Sequence, residues 1–226
     1  MPAAQHPLDR RYRYLYQPLV FIACLVPLLG CIGGIAASSG LAFVPGFSLG
    51  TDPVRLVLDT LAKTALNLLL ITLAITPLRQ LSGNVQLLRL RRMLGLFAFS
   101  YALLHFLTYL GPYQGFSWHE IAKDILKRPY ITMGFAALCL LVPLALTSTD
   151  RMQRRLGRRW RALHRLIWLV AALALLHFWK MLKHEYAQPL MYASLLAALL
   201  GWRLWWRYRP TRARSKFGPP KVQEKA

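Results

Sequence analysis

The chain has 226 residues, 56% of them hydrophobic and only 16% charged, and its 29 Lys and Arg against 8 Asp and Glu give a formal net charge of +21. The apolar residues are gathered into long runs instead of being spread at a regular period, which excludes an ordinary soluble domain. The cations cluster between those runs, so their excess reads as a membrane-topology signal and not as a nucleic-acid surface.

A helix needs about 20 apolar residues to cross the hydrocarbon core. The runs predict an all-α integral membrane protein of about six transmembrane helices, near residues 16–37, 56–76, 93–111, 130–148, 162–181 and 189–206. The first follows Arg10, Arg11 and Arg13 but continues through Gly30, Gly33 and Gly34 without a clear cleavage site, so it is expected to be a retained helix and not a signal peptide. The second carries Asp59, Lys63 and Asn67 at four-residue spacing on one face. The third follows Arg91 and Arg92 and contains His105. The fourth begins after Lys127 and Arg128, and the fifth contains His164 near its start and His177 well within it. Pro27, Pro143 and Gly134 inside spans are tolerable where neighbouring helices satisfy the freed backbone groups. The expected organisation is a tail over 1–15, a membrane domain over 16–207, and a basic tail over 208–226 that is expected to be disordered, with no internal repeat.

Counting Lys and Arg by segment gives 3 before the first run, 4 in 77–92, 6 in 149–161 and 7 in 207–226. The alternate segments 37–55, 112–129 and 180–189 have 1, 3 and 2. By the positive-inside rule both termini are expected in the cytoplasm.

Cys24, Cys31 and Cys139 lie within predicted spans without a CxxC pair, and read as small buried apolar residues. No Gly-rich phosphate loop, nucleophile elbow or HExxH pattern is present, which removes support for hydrolytic and nucleotide-driven chemistry. Of the acidic residues only Asp59 lies near a span interior, fewer than a proton-driven transporter would need.

Histidine at membrane depth is costly and points to function. His105 follows Arg92 by 13 residues and His177 follows Arg165 by 12. At 1.5 Å per residue each stands roughly 18–20 Å from the cytoplasmic edge. Two level imidazoles on parallel helices suit the axial ligation of a haem iron. His164 lies 13 residues before His177, at a depth suited to a second haem, but on an ideal helix the two are roughly 140° apart. The third helix offers no histidine at that depth. His164 is thus a ligand of a second haem or a side chain at the membrane interface. His6, His119 and His184 fall in tails or loops and are expected to be solvated.

Several motifs together carry a resemblance: Thr76-Pro77-Leu78-Arg79, Arg91-Arg92-Met93-Leu94-Gly95-Leu96 leading to His105, and Lys127-Arg128-Pro129-Tyr130-Ile131-Thr132. They continue with Leu144-Ala145-Leu146-Thr147-Ser148-Thr149, Leu156-Gly157 through Trp160 to Leu163-His164-Arg165, and Leu176-His177-Phe178-Trp179. Over residues 10–207 the chain resembles the ferric-reductase-like transmembrane proteins, and among them the haem-binding membrane subunits of periplasmic protein-methionine-sulfoxide reductase systems. The resemblance implies haem b at His105, His177 and His164, possession of FMN, and location in the bacterial inner membrane. It also implies electron delivery to a periplasmic molybdopterin subunit that reduces methionine sulfoxide, with the quinone pool or a cytoplasmic flavin reductase as donor. The chain departs from the pattern at the start of the second helix, where similar proteins often carry a His and a Thr-Gly pair and this one reads Leu58-Asp59-Thr60-Leu61.

Secondary candidates follow from charge and spacing. Lys63 and Asn67 either meet a haem propionate or quinone, or belong to a helix-end cluster at the headgroups. Arg79, Arg91 and Arg92 either bind flavin phosphate or only fix topology. Tyr101 and Tyr109 flank His105 by one turn, where they orient it, pack on porphyrin, or simply fill helix contacts. Two other functions compete with the electron relay: a ferric or cupric reductase-type cytochrome, and a non-redox transporter or assembly factor.

Overall fold

Long apolar runs have one stable solution in lipid, because every backbone group must be satisfied within its own segment. The computed structural model describes residues 15–39, 52–182 and 185–208, and within them the chain is helical without strands. The long helices are α1 (Gln17–Ser38), α2 (Pro53–Ser82), α3 (Leu87–Thr108), α5 (Pro129–Leu146), α8 (Ile167–Met181) and α9 (Ala187–Tyr208). Shorter pieces join them: α4 (Trp118–Lys127), α6 (Asp150–Leu156) and α7 (Arg158–Leu163). The expected N-terminal tail, most of the basic C-terminal tail, His6 and His184 lie outside the described residues.

Among the described residues, five helical segments are long and apolar enough to cross a membrane: Gln17–Ala37, Pro53–Ser82, Leu87–Tyr113, Pro129–Leu146 and Arg158–Met181. The expectation of about six differs at the last helix. α9 has 22 residues, ample length, but Arg203, Arg207 and Trp202, Trp205 and Trp206 crowd its end and dilute its apolar character. The fold is that of an all-α, multi-pass membrane protein. Its lipid-facing side is itself apolar: along α1, Leu19, Ile22, Val26 and Leu29 are exposed while Cys24 and Cys31 face the bundle. Cys139, expected to be buried, is exposed on α5.

Local signals set the ends. Asp52 caps α2 by accepting from the Arg55 N–H at 3.0 Å, Pro53 opens its first turn, and Gly83 closes it in the left-handed conformation. In α1, Pro27 has no N–H to donate, and the interruption is used. The buried Tyr101 hydroxyl enters the ladder, donating to the Cys24 carbonyl at 2.6 Å and accepting from the Leu28 N–H at 3.1 Å.

Two antiparallel hairpins form the body, α2 with α3 and α5 with α8. Their apolar faces meet in a core that includes Leu61, Leu69, Leu73, Leu94, Ala98, Leu141, Val170 and Ala171. α9 closes one side through hydrogen bonds from Tyr192 to Asn67 at 2.8 Å and from the Trp202 indole to Gln80 at 2.9 Å.

Candidate functional site

His105 and His177 come from different hairpins and meet inside the bundle. Their ring centres lie 6.3 Å apart and their planes are inclined at 71°. Each ring is held by a backbone carbonyl of its own hairpin partner: His105 Nδ1 lies 3.0 Å from the Leu58 oxygen on α2, and His177 Nδ1 lies 2.6 Å from the Tyr130 oxygen on α5. A carbonyl oxygen only accepts, so in the neutral ring Nδ1 carries the proton and Nε2 the lone pair. The backbone thereby fixes the tautomer that a metal-binding imidazole needs.

Gly134 gives the His177 ring its place. A Cβ added there would stand 2.9 Å from Nδ1, 3.0 Å from Cε1 and 3.1 Å from Cγ of the imidazole. The ring therefore lies against bare backbone one turn after the carbonyl that holds it.

These features fit a metal held between two histidines. Metal–imidazole bonds of about 2.0 Å on opposite sides of one ion put the ring centres roughly 6 Å apart. Among the described residues no group of three or more His, Cys, Asp or Glu side chains is placed to hold an ion. A two-imidazole site suits an ion whose remaining donors come from a macrocycle, and the bundle's apolar core, which includes Ala102, Leu104, Leu175 and Phe178 next to the histidines in sequence, suits an apolar ring.

The two histidine positions are equivalent. Each carbonyl precedes the histidine it holds by 47 residues. His105 and His177 also sit in the same pentapeptide, Ala102-Leu103-Leu104-His105-Phe106 and Ala174-Leu175-Leu176-His177-Phe178. At the same offset, Ala65-Leu66 and Leu68-Leu69 of α2 match Ala137-Leu138 and Leu140-Leu141 of α5. The two hairpins thus share a local pattern around their histidines, which the expectation of no internal repeat did not take in. Common apolar residues blur the match, and the identical pentapeptide was the signal that marked it.

His164 is built differently. It begins a 3-10 turn, His164–Leu166, between α7 and α8, and stacks on Trp160 with ring centres 4.0 Å apart. Its Nδ1 lies 3.2 Å from the carbonyl of that same Trp160, four residues earlier in α7. A 3-10 turn advances about 120° per residue, which narrows the expected 140° between His164 and His177 to about 80°. His164 lines a cavity of ≈ 730 Å³ with Arg91, Arg161, Arg203, Trp168 and Trp202. The Trp168 indole nitrogen is buried without a hydrogen-bond partner, and the Arg203 guanidinium lies 5.2 Å from the Trp168 ring centre.

The other expected site residues separate. Arg91 lines this cavity, whereas Arg92 is turned to Asp150 in an ion pair, with Gln153 at 3.4 Å, and Arg79 is not part of the cavity wall. The Arg92 guanidinium beside Asp150 holds that carboxyl below its usual range. The Tyr101 hydroxyl is taken up by α1 and that of Tyr109 by Asp124, at 3.1 Å. Asn67 accepts from Tyr192, Lys63 is half-buried, and Asp59 and His119 are exposed. Asp124 and Gly134 were missed as functional candidates. At Leu58, where the sequence departs from the resemblance, the contact is made by a carbonyl, which any residue supplies.

Residues 60–177 match the model of the ferric reductase like transmembrane component. The chain belongs to that family. It is 53% identical over 176 residues to the protein-methionine-sulfoxide reductase heme-binding subunit MsrQ of Xanthomonas axonopodis pv. citri, covering 76% of this chain and 80% of the relative. It is 45% identical over 213 residues to the MsrQ of Bordetella pertussis, covering 92% and 98%. Family membership agrees with the resemblance read from the motifs.

Proposed function

We propose that this protein is the haem b-binding, electron-carrying membrane subunit of a protein-methionine-sulfoxide reductase system, with His105 and His177 as the axial ligands. The pairing of two carbonyl-tethered imidazoles at 6.3 Å carries this reading, and the names of the relatives give the system. Bound there, haem supplies a one-electron ferric/ferrous couple. The chain orients both Nε2 lone pairs through Leu58 and Tyr130, and its apolar walls keep water from the site. In this reading both termini are cytoplasmic, and electrons pass to a periplasmic molybdopterin subunit where methionine sulfoxide is reduced. The quinone pool or a cytoplasmic flavin reductase provides them.

The cavity beside His164 supports a second reading, a further planar anionic cofactor near the arginine-rich end. Six arginines line it, Arg91, Arg158, Arg161, Arg165, Arg203 and Arg207, together with four tryptophans. A second haem ligated by His164 and a flavin nucleotide share that chemistry.

The test is the oxidised-minus-reduced visible spectrum of detergent-purified protein with haem quantified per chain. His105→Ala and His177→Ala should each remove or convert the low-spin signal, and His119→Ala should leave it intact. Equal, small effects at all three would sink the assignment. His164→Ala should halve a stoichiometry near two, or leave a stoichiometry near one unchanged. For the partner, reduced protein mixed with the molybdopterin subunit should reoxidise when methionine sulfoxide is added; no reoxidation points to another acceptor.

A further inference from the structure

Asp124 is the buried carboxylate among the described residues, 6% exposed, and the electron-carrying reading gives it no task. A charge removed from solvent persists only where donors surround it. Three do. Its Oδ2 accepts from the Tyr109 hydroxyl at 3.1 Å and from Gln114 Nε2 at 2.8 Å, and its Oδ1 faces Arg128 Nε at 3.0 Å. Gln114 also donates to the Tyr109 oxygen at 3.1 Å, which closes the network.

The origin of those donors matters more than their number. Tyr109 stands one turn beyond His105, where α3 passes into the π-helical turn Tyr109–Tyr113, and Gln114 follows that turn. Arg128 is the residue from which α5 starts, and its carbonyl accepts from the Ile131 and Thr132 N–H groups of the first turn. Tyr130, two residues later, supplies the carbonyl that holds His177. α4 is fastened to the same place, since the Arg128 N–H donates to the Asp124 carbonyl at 3.0 Å and the Thr132 hydroxyl donates to the Ile125 carbonyl. One carboxylate thus joins the end of the helix that carries one histidine to the start of the helix that orients the other.

We infer that Asp124 is a positioning residue for the bis-histidine site, clamping α3 to α5 so that His105 and His177 keep the separation at which both can ligate one iron. The inference rests on the haem reading above. Covalent connection does not fix this spacing, because the two histidines belong to different hairpins and the link between them on this side runs through α4. Apolar packing between helices tolerates sliding, whereas a charged group with three directed donors does not.

The experiment uses the full chain with its haem, comparing Asp124→Asn and Asp124→Ala with the parent. Asparagine keeps the size but puts an amide donor against groups that donate. Both variants should retain helical circular dichroism and a monodisperse profile. They should release haem to an apoprotein acceptor at least about tenfold faster, as loss of a ligand's supporting contacts does. They should also bind carbon monoxide in the ferrous state, with a shifted midpoint potential. Asp124→Glu should recover part of the low-spin spectrum. Spectrum, potential and release rate equal to the parent in both variants overturn the clamp. Where Asp124→Ala fails to fold, Tyr109→Phe and Gln114→Leu each remove one of the donors to the carboxylate together with the Gln114–Tyr109 bond, and the pair should shift the potential in the same direction; no shift overturns it equally. A parent chain without haem defeats the ligand assignment, a result separable from intact spectra in the Asp124 variants.

Discussion

Gly134→Ala is the smallest change that should disturb the site, and its effect can be worked from the geometry. The new methyl group would lie 2.9 Å from His177 Nδ1, where ordinary contact begins at 3.4 Å. The ring or the α5 backbone must therefore give by about half an ångström, and the imidazole is already held by a 2.6 Å contact to Tyr130 one turn away. Overpacking of this kind costs about 1–3 kcal/mol. Were that cost borne by the ligated state, haem release would accelerate roughly 5- to 150-fold. The assay is haem transfer to an excess of apoprotein, followed in the visible band, with the low-spin spectrum recorded beforehand. Gly95→Ala is the control, because its added Cβ would meet only Thr72 Cγ2, at an ordinary 3.7 Å. Equal release rates for the two variants and the parent would refute the idea that Gly134 seats the ligand.

Tyr101→Phe removes the hydroxyl that bridges Cys24 and Leu28, and should lower stability by about 1–3 kcal/mol with an unchanged haem spectrum; a spectral change with unchanged melting would return Tyr101 to the haem site. Asp150 titrates below its usual value of 3.8 because Arg92 bonds and faces it. A lowered carboxyl pKa stabilises the fold above that usual value, and the contribution is lost as pH falls through the lowered one. Asp150→Asn should therefore melt below the parent in neutral buffer and together with it in strong acid, by thermal scans at several pH values; a constant difference would exclude the linkage.

The spans and the level placement of His105 and His177 were legible because lipid imposes a one-dimensional constraint: length, apolarity and distance from a cationic edge are all readable along the chain. Lateral relations were not. Arg91 and Arg92 are neighbours in sequence, yet about 100° around the helix separates a cavity wall from an ion pair with Asp150. Tyr101 lies one turn from His105, and helical spacing rightly put the two on one side of α3. Its hydroxyl nonetheless reaches α1, because a proline there left the ladder open. Asp124 sits in a short amphipathic helix whose pattern resembles any surface segment, and only the fold shows that the residue is buried.

The pattern shared by the two hairpins explains why the two histidines occupy equivalent places. If each hairpin places a histidine against a carbonyl 47 residues earlier, packing two such units face to face yields a matched pair without further design. The same offset shows where the two halves differ. His164 corresponds to Arg92, so at the second level one half offers an imidazole and the other a guanidinium. Arg92 is spent on Asp150, and Arg91 beside it turns a charge into the cavity. A cofactor bound at that level would meet one histidine and a wall of cations in place of two opposed imidazoles. It must therefore draw its hold from anionic groups more than from axial ligation, whereas the His105–His177 level can hold a metal by ligation alone.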